Sequence, residues 1–87
     1  MGEKSRSTFV IVRVNRRTYV SGGVVAVVKG RAAAQSRLLD FEHGQSEADR
    51  YAGWHFFLEE TDLEPGLDPE TATRLRQAHL DRLDSKA

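Results

Sequence analysis

The sequence predicts a small α+β domain: an antiparallel sheet of three to four strands, a C-terminal amphipathic helix packed on one face, and one or two short helices. Three observations carry this prediction. Segments rich in β-branched residues fill residues 8–29, as is typical of strands. A short alternating segment follows at 54–60, and a helix-start signal with an apolar stripe occupies 68–83.

The chain is predicted to form a single domain over residues 8–84. Its 87 residues, 39% apolar and 30% charged, have the length and balance of one globular domain. Residues 1–7 are polar or charged and are predicted to be a disordered tail, and residues 85–87 a frayed C-terminus.

The N-terminal region is predicted to be an antiparallel meander. Residues 8–14 (TFVIVRV) contain β-branched and aromatic side chains without glycine or proline, which favours a strand. The polar residues 15–17 predict a loop, residues 18–20 a short strand, and the glycine pair within 21–23 a break or bulge. The apolar segment 24–29 (VVAVVK) is the next strand.

The middle of the chain is predicted to be mostly helical. Residues 31–39 (RAAAQSRLL) are good helix formers, although a strand over residues 36–42 remains an alternative. Ser46 has the spacing of a helix N-cap, and the helix it starts is expected to end at Gly53.

The segment 54–60 (WHFFLEE) alternates as a strand does, with Trp54, Phe56 and Leu58 on one face. A single helix over residues 47–60 is the alternative. It is disfavoured because Gly53 would lie in the helix interior, where glycine is destabilising.

The last helix has the strongest start signal in the chain. Asp68 is a favourable N-cap, Pro69 suits the first turn, and Glu70 places a negative charge near the positive end of the helix dipole. At 100° per residue an apolar stripe follows that needs a covering surface, and its members are Ala72, Leu75, His79, Leu80 and Leu83.

Several classes of function find no motif in the sequence. The chain has no cysteine, and hence neither disulfides nor thiolate ligands or nucleophiles. The H-E-x-x-H metal motif, the phosphate-binding glycine loops and the G-x-S-x-G elbow are missing. No metal and no cofactor are therefore expected.

The longest aliphatic run, 24–28, is too short to cross a membrane. No membrane partner is expected, and a cytoplasmic location is predicted.

Charge is distributed unevenly along a chain whose net charge is zero. Residues 1–45 carry eight basic against three acidic residues, whereas residues 46–87 carry five against ten. The two halves either neutralise each other in space or form a surface with a basic and an acidic side. The second reading supports a nucleic-acid-binding module as the alternative function, with a basic cluster of Arg13, Arg16, Arg17, Lys29, Arg31 and Arg37.

The leading prediction is a non-catalytic protein-interaction module that binds another protein or itself as a homodimer. The strand at 8–14 and the segment 54–60 are apolar on both faces, whereas one helix covers only one face of a sheet. A second helix layer or a partner is therefore required. The predicted interface residues are Phe9, Ile11, Trp54 and Phe57.

A third hypothesis is a small enzyme whose site forms between subunits. The candidates for such a site are His43 or His55 together with Glu59 or Glu60, because histidine and carboxylate side chains are the usual general acids and bases.

Overall fold

The computed structural model describes residues 7–86, and the side chains of residues 7–84. Residues 1–6 of the predicted tail and Ala87 lie outside this range. The described chain is an α+β domain whose three-stranded antiparallel sheet has the order β2-β1-β3, which confirms the predicted fold class. The elements in order are β1 Thr8–Asn15, β2 Ser21–Lys29, α1 Arg31–His43, α2 Glu47–Ala52, β3 Trp54–Thr61 and α3 Pro69–Lys86.

Strand β1 forms the centre of the sheet and of the core. It pairs with β2 on one side and with β3 on the other. Val10, Ile11 and Val12 are each at most 1% exposed. Because successive side chains of a strand point to opposite faces, Val10 and Val12 pack in one cluster and Ile11 in another.

Helix α3 covers the face that carries Val10 and Val12. Ala72 is fully buried against them, and its small side chain lets the helix approach the sheet closely. The amide of Val24 donates to Thr73 Oγ1 at 2.9 Å. Gly23 lies beneath the same threonine with φ 87°, where a Cβ atom would come within 3.0 Å of Thr73 Oγ1. Glycine is needed there for both its backbone angle and its size.

Helix α1 covers the opposite face. Ile11 and Phe56 form the buried cluster of this face together with Ala26, and Leu38 and Phe41 of α1 pack against it. The rings of Phe41 and Phe56 lie 5.4 Å apart. The strands that are apolar on both faces are thus explained by a second helix layer, one of the two explanations the sequence left open.

Strand β2 corrects the predicted meander. It begins at Ser21 and continues through Gly22 and Gly23 with two register shifts against β1, which agrees with the predicted bulge and not with the predicted break. Residues 18–20 are not a strand, so the prediction of a separate strand there is wrong. The reason is local: Asn15 Oδ1 accepts hydrogen bonds from the amides of Arg17 and Thr18 at 2.9 and 3.0 Å, which fold the chain into a turn.

The structure confirms the predicted helices and the residues predicted to cap them. Residues 31–43 form α1, so the strand alternative over 36–42 is wrong. Ser46 Oγ accepts from the amide of Asp49, and α2 ends at Gly53 with φ 107°, so the single helix over 47–60 is wrong as well. At the start of α3, Asp68 Oδ2 accepts from the amide of Thr71 at 2.9 Å.

Candidate functional site

From Leu75 onward, α3 carries apolar side chains that the domain leaves partly exposed. Ala72 is buried, but Leu75 is 43% exposed and Leu83 is 52% exposed. Thr73 contacts β2, and Arg76 already reaches Glu59 of β3. The helix therefore crosses the sheet within its first half, and its later turns extend past it.

These side chains line an open groove of about 640 Å³. One wall is the end of β3 and the loop after it, residues 59–63, with Leu63 as its apolar member. The other wall is the face of α3 that carries Leu75, His79, Leu80 and Leu83. We call this surface the α3 groove. Leucines exposed along a concave surface are typical of a docking site.

An ion pair joins the two walls of the α3 groove. Arg76 Nε and Nη2 donate to Glu59 Oε2 and Oε1 at 2.8 and 2.9 Å, the two-pronged geometry that arginine and a carboxylate favour. The hydrogen bonds from Arg76 hold the pKa of Glu59 below its usual value, with a smaller contribution from the nearby His79. The pair fixes the position of α3 over the end of β3.

This pair predicts a pH-dependent contribution to stability. A lowered folded-state pKa stabilises the protein above the ordinary value of 4.5, and the contribution is lost as the pH falls through the folded value. Since Glu59 is partly exposed, Glu59→Gln is expected to lower the free energy of unfolding by only about 0.5–1 kcal/mol at pH 7. The difference from wild type should shrink toward about pH 3, as measured by urea unfolding at both pH values.

The matched control is Glu60→Gln at the neighbouring, exposed position, which makes no ion pair within the described part of the chain. This variant should unfold like wild type. A Glu59→Gln difference that stayed constant with pH would contradict the assigned role of the pair.

A second candidate surface lies at the opposite end of β1, where residues 16–19 form the turn into β2. We call these residues the basic turn. Arg16 and Arg17 are exposed and Tyr19 is 90% exposed. Beneath them Asn15 is buried, and its Nδ2 donates to the carbonyl of Ala52 at 3.1 Å.

Aromatic and histidine side chains surround the basic turn. The guanidinium of Arg17 lies 5.2 Å from the ring centre of Tyr51, and Nε of Arg16 donates to Nε2 of His55 at 3.0 Å. Next to them the guanidinium of Arg13 lies 3.9 Å from the ring centre of Trp54. Such arginine–aromatic contacts orient the guanidinium groups.

The six basic residues predicted for nucleic-acid binding do not form one surface. In the sheet register Arg13 is opposite Gly23, whereas Lys29 is opposite Thr8. This difference of five residues along β1 corresponds to about 17 Å. Arg31 lies over Phe9 at the Lys29 end, at 5.0 Å from the ring centre. Arg37 lies over Phe41 on α1 at 5.6 Å. Only Arg13, Arg16 and Arg17 are grouped.

The predicted interface residues are also separated. Phe9 and Ile11 are 3% and 0% exposed, since α1 covers them. Trp54 is partly exposed beneath Arg13, and Phe57 is half-buried on the α3 face. The role of these four residues as an interface stays a prediction.

The apolar stripe of α3 is evident in the sequence, but the exposure of Leu75 and Leu83 within it was not predicted. The predicted length of α3 could have indicated this exposure, because the helix is longer than the sheet is wide. Eighteen residues span about 27 Å, whereas three strands spaced by about 4.8 Å make a narrow sheet. Tyr51 was missed because a single tyrosine in a polar segment carries no pattern.

Within one chain the structure does not bring together the residues of the enzymatic hypothesis, and a site formed between subunits stays a prediction. His43 is exposed at the end of α1, and His55 and Glu59 are about 13 Å apart along β3, bound to Arg16 and Arg76 respectively. Among residues that the structure describes, no three histidine or acidic side chains are placed to hold a metal ion.

None of the helices within 7–86 is long and apolar enough to cross a membrane.

The fold and these surfaces define a three-layer domain with one helix on each face of an antiparallel sheet. Comparison with known proteins adds no relative: no family model, no curated protein and no solved structure matches the chain.

Proposed function

We propose that this chain is a non-catalytic association module that forms a homodimer through the α3 groove. The observation that supports this most is the exposure of Leu75 and Leu83 on the same face of α3, beside the groove that Leu63 completes. Covering a leucine side chain contributes about 1.5–3 kcal/mol, so a partner that covers both leucines would be bound with a substantial apolar contribution.

A second copy matches the spacing of the exposed leucines. In an antiparallel two-fold pair of α3 helices that sets Leu75 against Leu83 of the second copy, the reverse contact follows by symmetry. His79 then lies on the two-fold axis. Arg82 approaches Arg76, whose charge is already balanced by Glu59.

The charges around the α3 groove also fit a second copy. The β3 side of the groove carries Glu60 and Asp62, and α3 contributes the exposed Arg82. An incoming α3 therefore brings positive charge to an acidic rim. The whole chain has a formal net charge of zero, and two copies meet without net repulsion, a condition that promotes self-association.

The proposal predicts that Leu83→Glu dissociates the dimer. A symmetric dimer contains the substitution twice, so the loss of two buried leucines should raise the dimer dissociation constant at least about 100-fold. Sedimentation equilibrium over a hundredfold range of protein concentration measures this constant.

The chain offers a closely matched control in Leu39→Glu. Leu39 lies on α1 and is 52% exposed, as is Leu83, but it is not in the α3 groove. Its substitution should leave the dissociation constant unchanged, and circular dichroism should show both variants folded. A wild-type chain that stays monomeric at every concentration, or an equal effect of the two substitutions, would refute self-association. In that case the α3 groove would have to bind a different protein.

We also propose that the protein is located in the cytoplasm. A domain without cysteine does not depend on disulfides and is compatible with a reducing compartment.

A further inference from the structure

We infer that the basic turn is a binding site for single-stranded nucleic acid. In this site Arg16 and Arg17 contact the phosphates, and the rings of Tyr19 and Tyr51 stack on bases. The inference is independent of the α3 groove, which lies on the α3 side of the sheet near the other end of β1.

The first argument is unneutralised charge. Among the described residues, the ion pair at this end of the sheet joins Arg13 to Asp49 at 3.6 Å. No carboxylate lies within ion-pair distance of Arg16 or Arg17 in the same part of the chain. Two adjacent exposed guanidinium groups without acidic partners create a local positive potential. Phosphate groups are suited to it because arginine binds them with paired hydrogen bonds.

The second argument is the exposure of aromatic rings beside these charges. Tyr19 is 90% exposed and Tyr51 is 78% exposed, so neither ring contributes to the core. Arg17 lies over Tyr51, which places a cation and an aromatic face together. Stacking of a base on an aromatic side chain contributes about 1–3 kcal/mol, and every base has a face that can stack.

The third argument is that hydrogen bonds order the backbone of the basic turn. The amide of Arg16 donates to the carbonyl of Gly53 at 2.8 Å, and the amide of Tyr19 donates to the carbonyl of Asn15 at 2.9 Å. Tyr19 has φ 62°, a left-handed conformation that costs a residue with a Cβ atom about 1–2 kcal/mol. The ring of Tyr19 projects into solvent from this position. Groups that are ordered before binding lose less entropy when a ligand arrives.

The same geometry favours a single strand over a duplex or a phosphorylated peptide. Stacking on tyrosine requires unpaired bases, and the basic turn offers no helix that fits a duplex groove. A phosphorylated peptide would use the arginines but leave the two exposed rings without a role.

The test is fluorescence polarisation with a labelled oligo-dT of roughly 12 nucleotides, within the range of single-strand site sizes, at low and moderate salt. Arg16→Gln with Arg17→Gln is expected to weaken binding at least about tenfold and to reduce the salt slope by about 1.4, the value for two single-strand phosphate contacts. Tyr19→Asn, which tolerates the left-handed backbone, is expected to weaken binding about five- to tenfold.

The matched control is Lys29→Gln with Arg31→Gln, which removes the same charge at the other end of the sheet. It should change the affinity less than about twofold if the contacts are local. Equal losses in the two double variants would show that net charge alone governs binding and would overturn the site. Tighter binding of the duplex form or of a doubly phosphorylated peptide would also overturn it, as would a wild-type chain that leaves the polarisation unchanged at low salt.

Discussion

Replacing Ile11 with alanine is expected to lower the free energy of unfolding by about 2–5 kcal/mol. Ile11 is fully buried between the sheet and α1, so the substitution removes apolar contacts and leaves a cavity. A domain of this length is stable by only about 4–13 kcal/mol, and the variant should therefore lose a large share of its stability. Urea unfolding followed by the fluorescence of Trp54 measures the change.

Two further substitutions calibrate this result. Ile11→Val removes one methylene group and should cost about 0.5–1.5 kcal/mol. Val20→Ala, at a position that is 54% exposed, should stay within about 0.5 kcal/mol of wild type. An Ile11→Ala variant that lost less than about 1 kcal/mol would show that α1 does not cover this face of the sheet.

Asn15→Ala is expected to destabilise the domain by about 2–3 kcal/mol, because it leaves buried polar groups without partners. The side chain of Asn15 is 4% exposed. Its oxygen accepts from the amides of Arg17 and Thr18, and its nitrogen donates to the carbonyl of Ala52. One residue thus joins β1, the basic turn and the end of α2. Thermal unfolding measures the loss.

Asn15→Asp distinguishes the acceptor role of the Asn15 side chain from its donor role. Aspartate keeps the acceptor for the amides of the basic turn, but it turns a second oxygen toward the carbonyl of Ala52, so it should also be destabilising. Thr18→Ala serves as the control within the same turn, since the hydrogen bond from the amide of Val20 to Thr18 Oγ1 is exposed. If Asn15→Ala were no more destabilising than Thr18→Ala, the buried hydrogen bonds would not hold the turn.

The elements that sequence reasoning predicted correctly are those encoded by neighbouring residues. The N-cap of Asp68 and the helix end at Gly53 depend on side chains within a few positions, and both are observed. The β-branched run of β1 is also local. Gly22 and Gly23 predicted either a break or a bulge, and the contact that decides between them is distant: Gly23 makes room for Thr73 of α3.

The candidate surfaces depend on such distant contacts even more strongly. The basic residues lie at two ends of the sheet because β2 runs antiparallel to β1. Amino-acid composition does not reveal this register. The apolar face of α1 was hard to recognise since only Leu38 and Phe41 pack against the sheet beside the buried Ala34. The later turns of α3 are uncovered because the helix crosses the strands in its first half and then extends past the sheet.

The strand order has a consequence for how the chain reaches this structure. The partners of β1 in β2 are close in sequence, whereas Thr8 pairs with Thr61 at the far end of β3. The β1–β2 hairpin can therefore close quickly, while the other side of β1 waits for a much longer loop to form. During that interval a strand that is apolar on both faces has an open hydrogen-bonding edge. The β3 segment of a neighbouring chain fits that edge equally well, so slow folding at high concentration favours strand-exchanged assemblies.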